Sequence, residues 1–377
     1  MNILFIGPYR QDDEWGRKSR AVLRALQRSD NQVTSRPIFL STNIPHNEYA
    51  EKSEFLTAEN YDVLIQFMLQ PYVVYDGRVS KRIGIFNSET LPCEIARGHL
   101  TKELLMDEIW TDSSAIEKKL QNIINRYDPK IVVRSMPPTL DTTHLPEKPS
   151  FSLRSSDSEL QNRFIFYYIG NLLEEKDGFQ ETFLAYMRTF TKKDPVALVV
   201  SSETLVDQKA LDPLVDLCRS RIGAFRNPND QPLFKLMNPS RGRLITEERI
   251  VLHHDGDCMV SPGYALSTNS LVLEAATYKS MPIVNTGNAC YEWWGEENLW
   301  GAESYEEVCL APQRPVPYRF TAGETWFKPS VKSLSNLMKE AYTNKFKRDK
   351  KISANSKLRN HFNTMELDLK SIPSRNP

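Results

Sequence analysis

Short apolar runs closed by turn residues alternate with stretches of helical apolar spacing along most of the chain, and this alternation limits the fold more than any single motif. Residues Ile3 to Ile6 form such a run, followed by Gly7-Pro8, a polar stretch, and an amphipathic pattern at Ala21, Val22, Leu23, Ala25 and Leu26. That order reads as strand, loop and helix. Further strands are expected at Val33 to Leu40, Asp62 to Phe67, Arg82 to Phe86, Glu108 to Thr111 and Ile131 to Arg134, with a helix at Ser113 to Arg126. Short buried strands alternating with helices require a mostly parallel sheet covered on both faces.

From Pro146 to Arg163 the chain turns polar and rich in serine and proline, as an interdomain linker does. The alternation then starts again: strand Phe164 to Ile169, helix Gln180 to Thr189, strand Ala197 to Ser201, helix Leu211 to Arg221, strand Cys258 to Ser261, helix Ser270 to Lys279 and strand Pro282 to Asn285. At 377 residues the chain exceeds the usual size of one hydrophobic core. The expectation is therefore two Rossmann-like α/β domains, residues 1–150 and 163–350, facing across a cleft. From Val331 the tail reads as two helices, the first with Leu334, Leu337, Met338 and Ala341 at helical spacing. Its end, residues 351–377, is a helical segment able to pack back on the first domain.

Lysine plus arginine equals aspartate plus glutamate at 48 each, so no overall field draws the chain to nucleic acid or an anionic membrane. Cys93, Cys218, Cys258, Cys290 and Cys309 are scattered singly, without the close pairs of a zinc or redox motif. The apolar run at the start is too short for a signal peptide, and no segment approaches the roughly 20 apolar residues of a membrane span. A cytoplasmic location is the expectation.

Ligands of parallel sheets sit beyond the strands' carboxyl ends, where helix N-termini present free N–H groups. Three segments there carry suggestive residues. In the stretch Gly170-Asn171 to Lys176-Asp177-Gly178, a strand ends at glycine and a lysine follows before the next helix, which can aim one ammonium at a phosphate or leave it solvated. In the stretch Ser267-Thr268-Asn269-Ser270-Leu271, N-cap residue types precede an apolar helix, so the amides of Ser270 and Leu271 form an anion site. Glu274, a turn further in, needs either a ribose diol or a neighbouring arginine as partner. The third segment, Gly7-Pro8-Tyr9 through Trp15-Gly16-Arg17-Lys18-Ser19-Arg20, opens a helix with basic residues that oppose its dipole.

With these segments in this order, the chain resembles glycosyltransferase family 4, retaining nucleotide-sugar enzymes of the GT-B fold. Asp107-Glu108-Ile109-Trp110-Thr111-Asp112-Ser113 is similar to that family's strand-then-serine segment, and Met136-Pro137-Pro138-Thr139-Leu140-Asp141 to its proline-rich exit. Gly170 to Lys176 is similar to its diphosphate element, Leu266 to Glu274 to its paired-glutamate motif, and Met281-Pro282-Ile283-Val284 to the strand that follows. The resemblance implies that Lys176 contacts the diphosphate, that the Ser270 and Leu271 amides cradle it, that Glu274 holds the ribose, and that Gly16 approaches the donor from the first domain. It departs at Asn171, where the family has arginine, at Leu266, where it has glutamate, and at Thr268-Asn269, where it has phenylalanine-glycine. The sugar-gripping half of the motif is thus altered. The implied chemistry needs no metal or other cofactor beyond the nucleotide-diphosphate sugar, because the departing phosphate can draw the acceptor proton while the protein stabilises the leaving charge.

Glu89, in Ile85-Phe86-Asn87-Ser88-Glu89-Thr90-Leu91-Pro92, is a candidate for acceptor contact or for support of positive charge at the sugar carbon, with a buried structural carboxylate as the alternative. His253-His254-Asp255-Gly256-Asp257 holds metal-ligand types but reads as a connector. Trp293, Trp294 and Trp300 read as packing beneath a cleft loop. The expected acceptor is a glycan, a lipid-linked acceptor or a small molecule. Locally basic stretches from Arg219 to Arg249 (with Arg221, Arg226, Lys235, Arg241 and Arg243) and from Lys339 to Arg359 leave DNA with modified bases as an alternative acceptor. Leu266 and Asn171 leave a sugar-nucleotide-binding protein without turnover as the other alternative.

Overall fold

The computed structural model describes residues 1–39, 51–57, 60–68, 72–86, 89–92, 103–203, 208–223, 228–239, 244–278, 280–309 and 323–367. Asn87, Ser88, Cys93, Arg226, Arg241, Arg243 and Lys279 lie outside them. In the first half, strands β1 (Asn2–Gly7), β2 (Gln32–Pro37), β3 (Val63–Phe67), β4 (Lys81–Ile85), β5 (Glu108–Thr111) and β6 (Val132–Ser135) pair in the order β2-β1-β3-β4-β5-β6, all parallel. Helices α1 (Glu14–Arg28) and α2 (Ser114–Ile124) cover this sheet, and a single turn, α3 (Leu153–Ser156), follows it.

The second half repeats the plan. Strands β7 (Phe164–Gly170), β8 (Val196–Ser202), β9 (Leu233–Met237), β10 (Cys258–Ser261), β11 (Ile283–Asn285) and β12 (Trp300–Ala302) pair in the parallel order β12-β11-β10-β7-β8-β9. Its helices are α4 (Phe179–Thr189), α5 (Gln208–Gly223), α6 (Thr246–Asp255), α7 (Ser270–Thr277) and α8 (Ala289–Asn298). β7 explains why both faces need covers: Phe166 and Tyr168 enter one apolar cluster, while Ile165, Tyr167 and Ile169 enter the other. A strand buried on both faces reads as a continuous apolar run, as Phe164 to Ile169 does.

Several elements differ from the sequence expectation. β13 (Ser304–Val308) and β14 (Thr325–Pro329) form an antiparallel hairpin, and Leu91 of the first half bridges to Thr325. The polar segment Pro146–Arg163 lies against the second half, where Leu160 is buried and Asp255 accepts from the Ser152 hydroxyl at 2.7 Å. The tail holds three helices: α9 (Val331–Thr343), α10 (Lys345–Asn355) and α11 (Leu358–Thr364). α9 buries Leu334, Met338 and Ala341. The boundary expected at residue 351 falls inside α10. Past α11 the chain reaches the first half: the Leu367 amide donates to the Ala25 carbonyl at 3.2 Å, and its side chain joins the first sheet's core.

Gly16 is packed tightly into this framework. A Cβ there would lie 1.9 Å from the Gln11 carbonyl oxygen, so only glycine lets the loop after β1 close onto α1. Gly16→Ala is expected to cost about 1–3 kcal/mol of stability, the usual cost of overpacking. Thermal unfolding of the variant should show it, and an unchanged midpoint would contradict the contact.

Candidate functional site

Because both sheets are parallel, their carboxyl ends can converge on one place, and a cleft with about 210 Å³ of room lies there. The second half supplies most of it. β7 stops at Gly170, and the chain returns through a tight loop in which the Asp177 carboxylate accepts from the Asn171 amide at 2.8 Å. Gly178, at φ +76°, turns the chain into α4 in a conformation that favours glycine. The loop carries Lys176 to the cleft, where its Nζ lies 2.8 Å from Glu89 Oε2 of the first half and 3.7 Å from Asp177 Oδ1. Burial pushes the Asp177 carboxyl up to about 6; Lys176 and the Asn171 amide oppose the rise, and Glu203 and Glu89 add to it.

The amino end of α7 forms the opposite wall. Asn269 caps the helix, its Oδ1 accepting from the Leu271 amide at 2.9 Å. The Ser270 amide donates to Glu14 Oε1 at 2.9 Å, and its hydroxyl donates to Glu14 Oε2. Thr268 gives its amide, at 2.8 Å, and its hydroxyl, at 2.9 Å, to Asp112 Oδ2, which Lys18 approaches at 3.2 Å. Arg17 ties these groups together, donating to Ser270 Oγ at 2.9 Å and to Glu203 at 3.0 Å. Burial alone would raise the Glu14 carboxyl, but Lys18 and Arg17 beside it hold it below its ordinary value. The dipole of α7 therefore faces two carboxylates of the first half.

Of the residues expected from sequence, Glu89, Asn171, Lys176, Thr268, Asn269 and Leu271 line the cleft. Ser270 sits just behind, covered by Glu14. Glu274 lies deeper: its Oε2 accepts from Arg249 Nε at 2.6 Å and is 3.5 Å from His253 Nε2, so the arginine partner, not an open position for a ribose, is what the structure shows. The reason is helical spacing, since one turn beyond Ser270 the side chain faces α6 rather than the strand ends. Leu266, expected to face the sugar, is fully buried with Ile116, Tyr264 and Trp326. Glu14, Glu203 and Asn288, not singled out in the sequence, also line the cleft, as does Trp15 of the basic segment. The basic run after Trp15 was a usable signal for α1, whereas nothing local to Glu203 marks it.

The histidine stretch ends helix α6 with His253, His254 and Asp255, and Gly256-Asp257 connect it to β10. His253 stacks near Tyr278 and contacts Tyr167, while His254 pairs with Asp255. Among the described residues no group of three or more His, Cys, Asp or Glu side chains converges as a metal site requires. Trp300 packs against Lys351 and Trp294 against Phe362, both residues of the tail helices; Trp293 donates to the Asp112 carbonyl at 3.1 Å. Three described members of the basic stretches bind the protein itself: Lys235 pairs with Asp157 and Glu159, Arg348 donates to carbonyls of α9, and Arg359 to the Leu145 carbonyl. No helix among the described residues is long and apolar enough to cross a membrane.

No family profile and no curated protein matches the sequence. Solved structures do. The chain aligns over 97% of its length, and 96% of the other, with a trehalose-6-phosphate structure from E. coli bound with UDP-2-fluoro glucose, at 10% identity and a TM-score of 0.60. It aligns over 96% of its length, and 95% of the other, with Anabaena HepE in complex with UDP and glucose, at 11% identity and a TM-score of 0.53. A trehalose-6-phosphate synthase structure, OtsA, matches over 80% of this chain and 69% of that one, at 11% identity and a TM-score of 0.55. The chain has the GT-B fold. Near end-to-end coverage of two neighbours extends the GT-B likeness to both halves and the returning tail.

Proposed function

We propose that this protein is a retaining glycosyltransferase that moves a hexose or related sugar from a UDP-sugar to a hydroxyl of a glycan, a lipid-linked acceptor or a small molecule. The observation that carries this reading is the convergence of Lys176, Asn171 and the amino end of α7 at the carboxyl ends of a GT-B sheet, where an anionic leaving group is best stabilised. Lys176 would receive charge on the departing diphosphate, Thr268, Asn269, Ser270 and Leu271 would frame it, and Glu89 would face the acceptor and the sugar carbon. Trp15 offers an aromatic face in the same wall. No metal enters this scheme. Incubation with a panel of nucleotide sugars tests it: slow hydrolysis of one donor is the expected result, and no binding or turnover of any would refute it. A binding protein without turnover is the second reading, favoured by the buried Leu266, and donor binding with no hydrolysis would select it.

Asp177 gives the donor site a pH dependence. Its carboxyl is raised to about 6, so it is charged at neutral pH and takes a proton as pH falls through that value. Protonation removes a negative charge beside Lys176. UDP affinity relative to Asp177→Asn should therefore rise several-fold between about pH 7.5 and pH 5.5, while titration of UDP itself cancels in the comparison. Parallel curves for the two proteins would show that Asp177 does not face the phosphate. The same raised value means that the Asp177 charge costs stability at neutral pH, a cost that disappears as pH falls below about 4, the ordinary aspartate value.

A further inference from the structure

Three groups that the proposed donor site offers to a diphosphate are already taken by carboxylates of the first half. Glu14 accepts both the amide and the hydroxyl of Ser270 at the head of α7. Asp112 accepts both the amide and the hydroxyl of Thr268. Glu89 holds Lys176 at 2.8 Å. Each pair crosses between the two halves, and each places a carboxylate where the dipole of α7 or the Lys176 ammonium would attract phosphate oxygens. Apolar contact adds to the closure, since Ile116 of α2 shares a buried cluster with Tyr264, Leu266 and Trp326. The remaining room, about 210 Å³, is below the roughly 300–1,000 Å³ of ordinary small-ligand sites.

We propose that Glu14, Asp112 and Glu89 form an internal latch that shuts the cleft by occupying the phosphate-binding groups, so that a nucleoside diphosphate binds only by displacing them and opening the two halves. This rests on the donor-site reading above. It sets binding and closure in competition: free energy spent breaking the three pairs is lost from nucleotide affinity, and weakening the latch returns it. Arg17 and Lys18 share the first half with Glu14 and Asp112, so opening also withdraws Arg17 from Ser270, while Lys18 keeps its place beside Asp112.

Titration calorimetry with UDP and small-angle X-ray scattering on the full chain test the latch together. Glu14→Gln keeps the shape but loses the charge, and it should bind UDP about tenfold more tightly than wild type, equivalent to about 1.4 kcal/mol. UDP should also raise the radius of gyration of the wild-type protein, and Glu14→Gln combined with Asp112→Asn should raise it without ligand. Unchanged or weaker UDP binding by Glu14→Gln, with wild type binding normally, would overturn the latch and leave the donor site standing. If UDP binds to none of the proteins, the donor-site reading fails; expansion of the double variant alone would then still support a carboxylate latch between the halves, and a compact double variant would refute it.

Discussion

Arg249→Met is expected to destabilise the protein by about 3–5 kcal/mol, the cost of leaving one partner of a buried ion pair alone. Arg249 Nε and Glu274 Oε2 are 2.6 Å apart, and each side chain is 3% exposed. Burial on its own would raise the Glu274 carboxyl; Arg249, His253 and Arg17 together overcome it and hold the group well below the usual carboxylate range. His253 is a poorer partner than the guanidinium, because burial lowers its pKa and disfavours the charged ring. Urea unfolding measures the loss, and Arg249→Met combined with Glu274→Leu should recover much of it, since no orphan charge remains. The pH dependence has a definite sign. A depressed carboxylate stabilises the fold above its unfolded value, near 4.3 for glutamate, and that contribution is lost as pH falls toward the folded value. The double variant should accordingly lose less stability on acidification than wild type. If Arg249→Met unfolds at the wild-type urea concentration, the pair holds nothing together.

The same pair shows where sequence reading reached its limit. The alternation of apolar runs was enough to place most strands of both sheets, because a strand buried on two faces leaves a continuous signature, as Phe164 to Ile169 does. β9 escaped because its Leu-Phe-Lys-Leu-Met is an edge strand with every residue only partly buried. The hairpin β13–β14 escaped because its strands carry glutamates and lysine and are far apart in sequence, so no two-residue turn announces them. The places of Lys176, Asn171 and the cap at Asn269 were legible because they follow from local order: strand end, loop, helix start. Glu14, Asp112 and Glu203 were not, since what matters about them is a partner in a distant segment. For Glu274 two partners were conceivable from sequence, and only the position of Arg249 on α6 decides between them.

Lys176→Ala should weaken UDP binding by about one hundredfold, the upper end of what a charge-assisted hydrogen bond of about 1.5–3 kcal/mol implies. The upper end is expected because the ammonium does two things. It meets the phosphate, and it neutralises Glu89 at 2.8 Å and Asp177 at 3.7 Å, both of which would otherwise face the incoming anion unopposed. Glu89→Gln should act in the opposite direction, releasing Lys176 for the phosphate and raising affinity for bare UDP, while donor hydrolysis falls if Glu89 also supports charge at the sugar carbon. Combining the two substitutions separates these effects. If the lysine acts chiefly by shielding Glu89, the double variant should bind UDP nearly as well as wild type; if it contacts phosphate directly, most of the loss should persist. Calorimetric titration of the four proteins, each checked for folding by circular dichroism, provides the cycle. Wild-type affinity in a folded Lys176→Ala protein would mean that the nucleotide binds elsewhere.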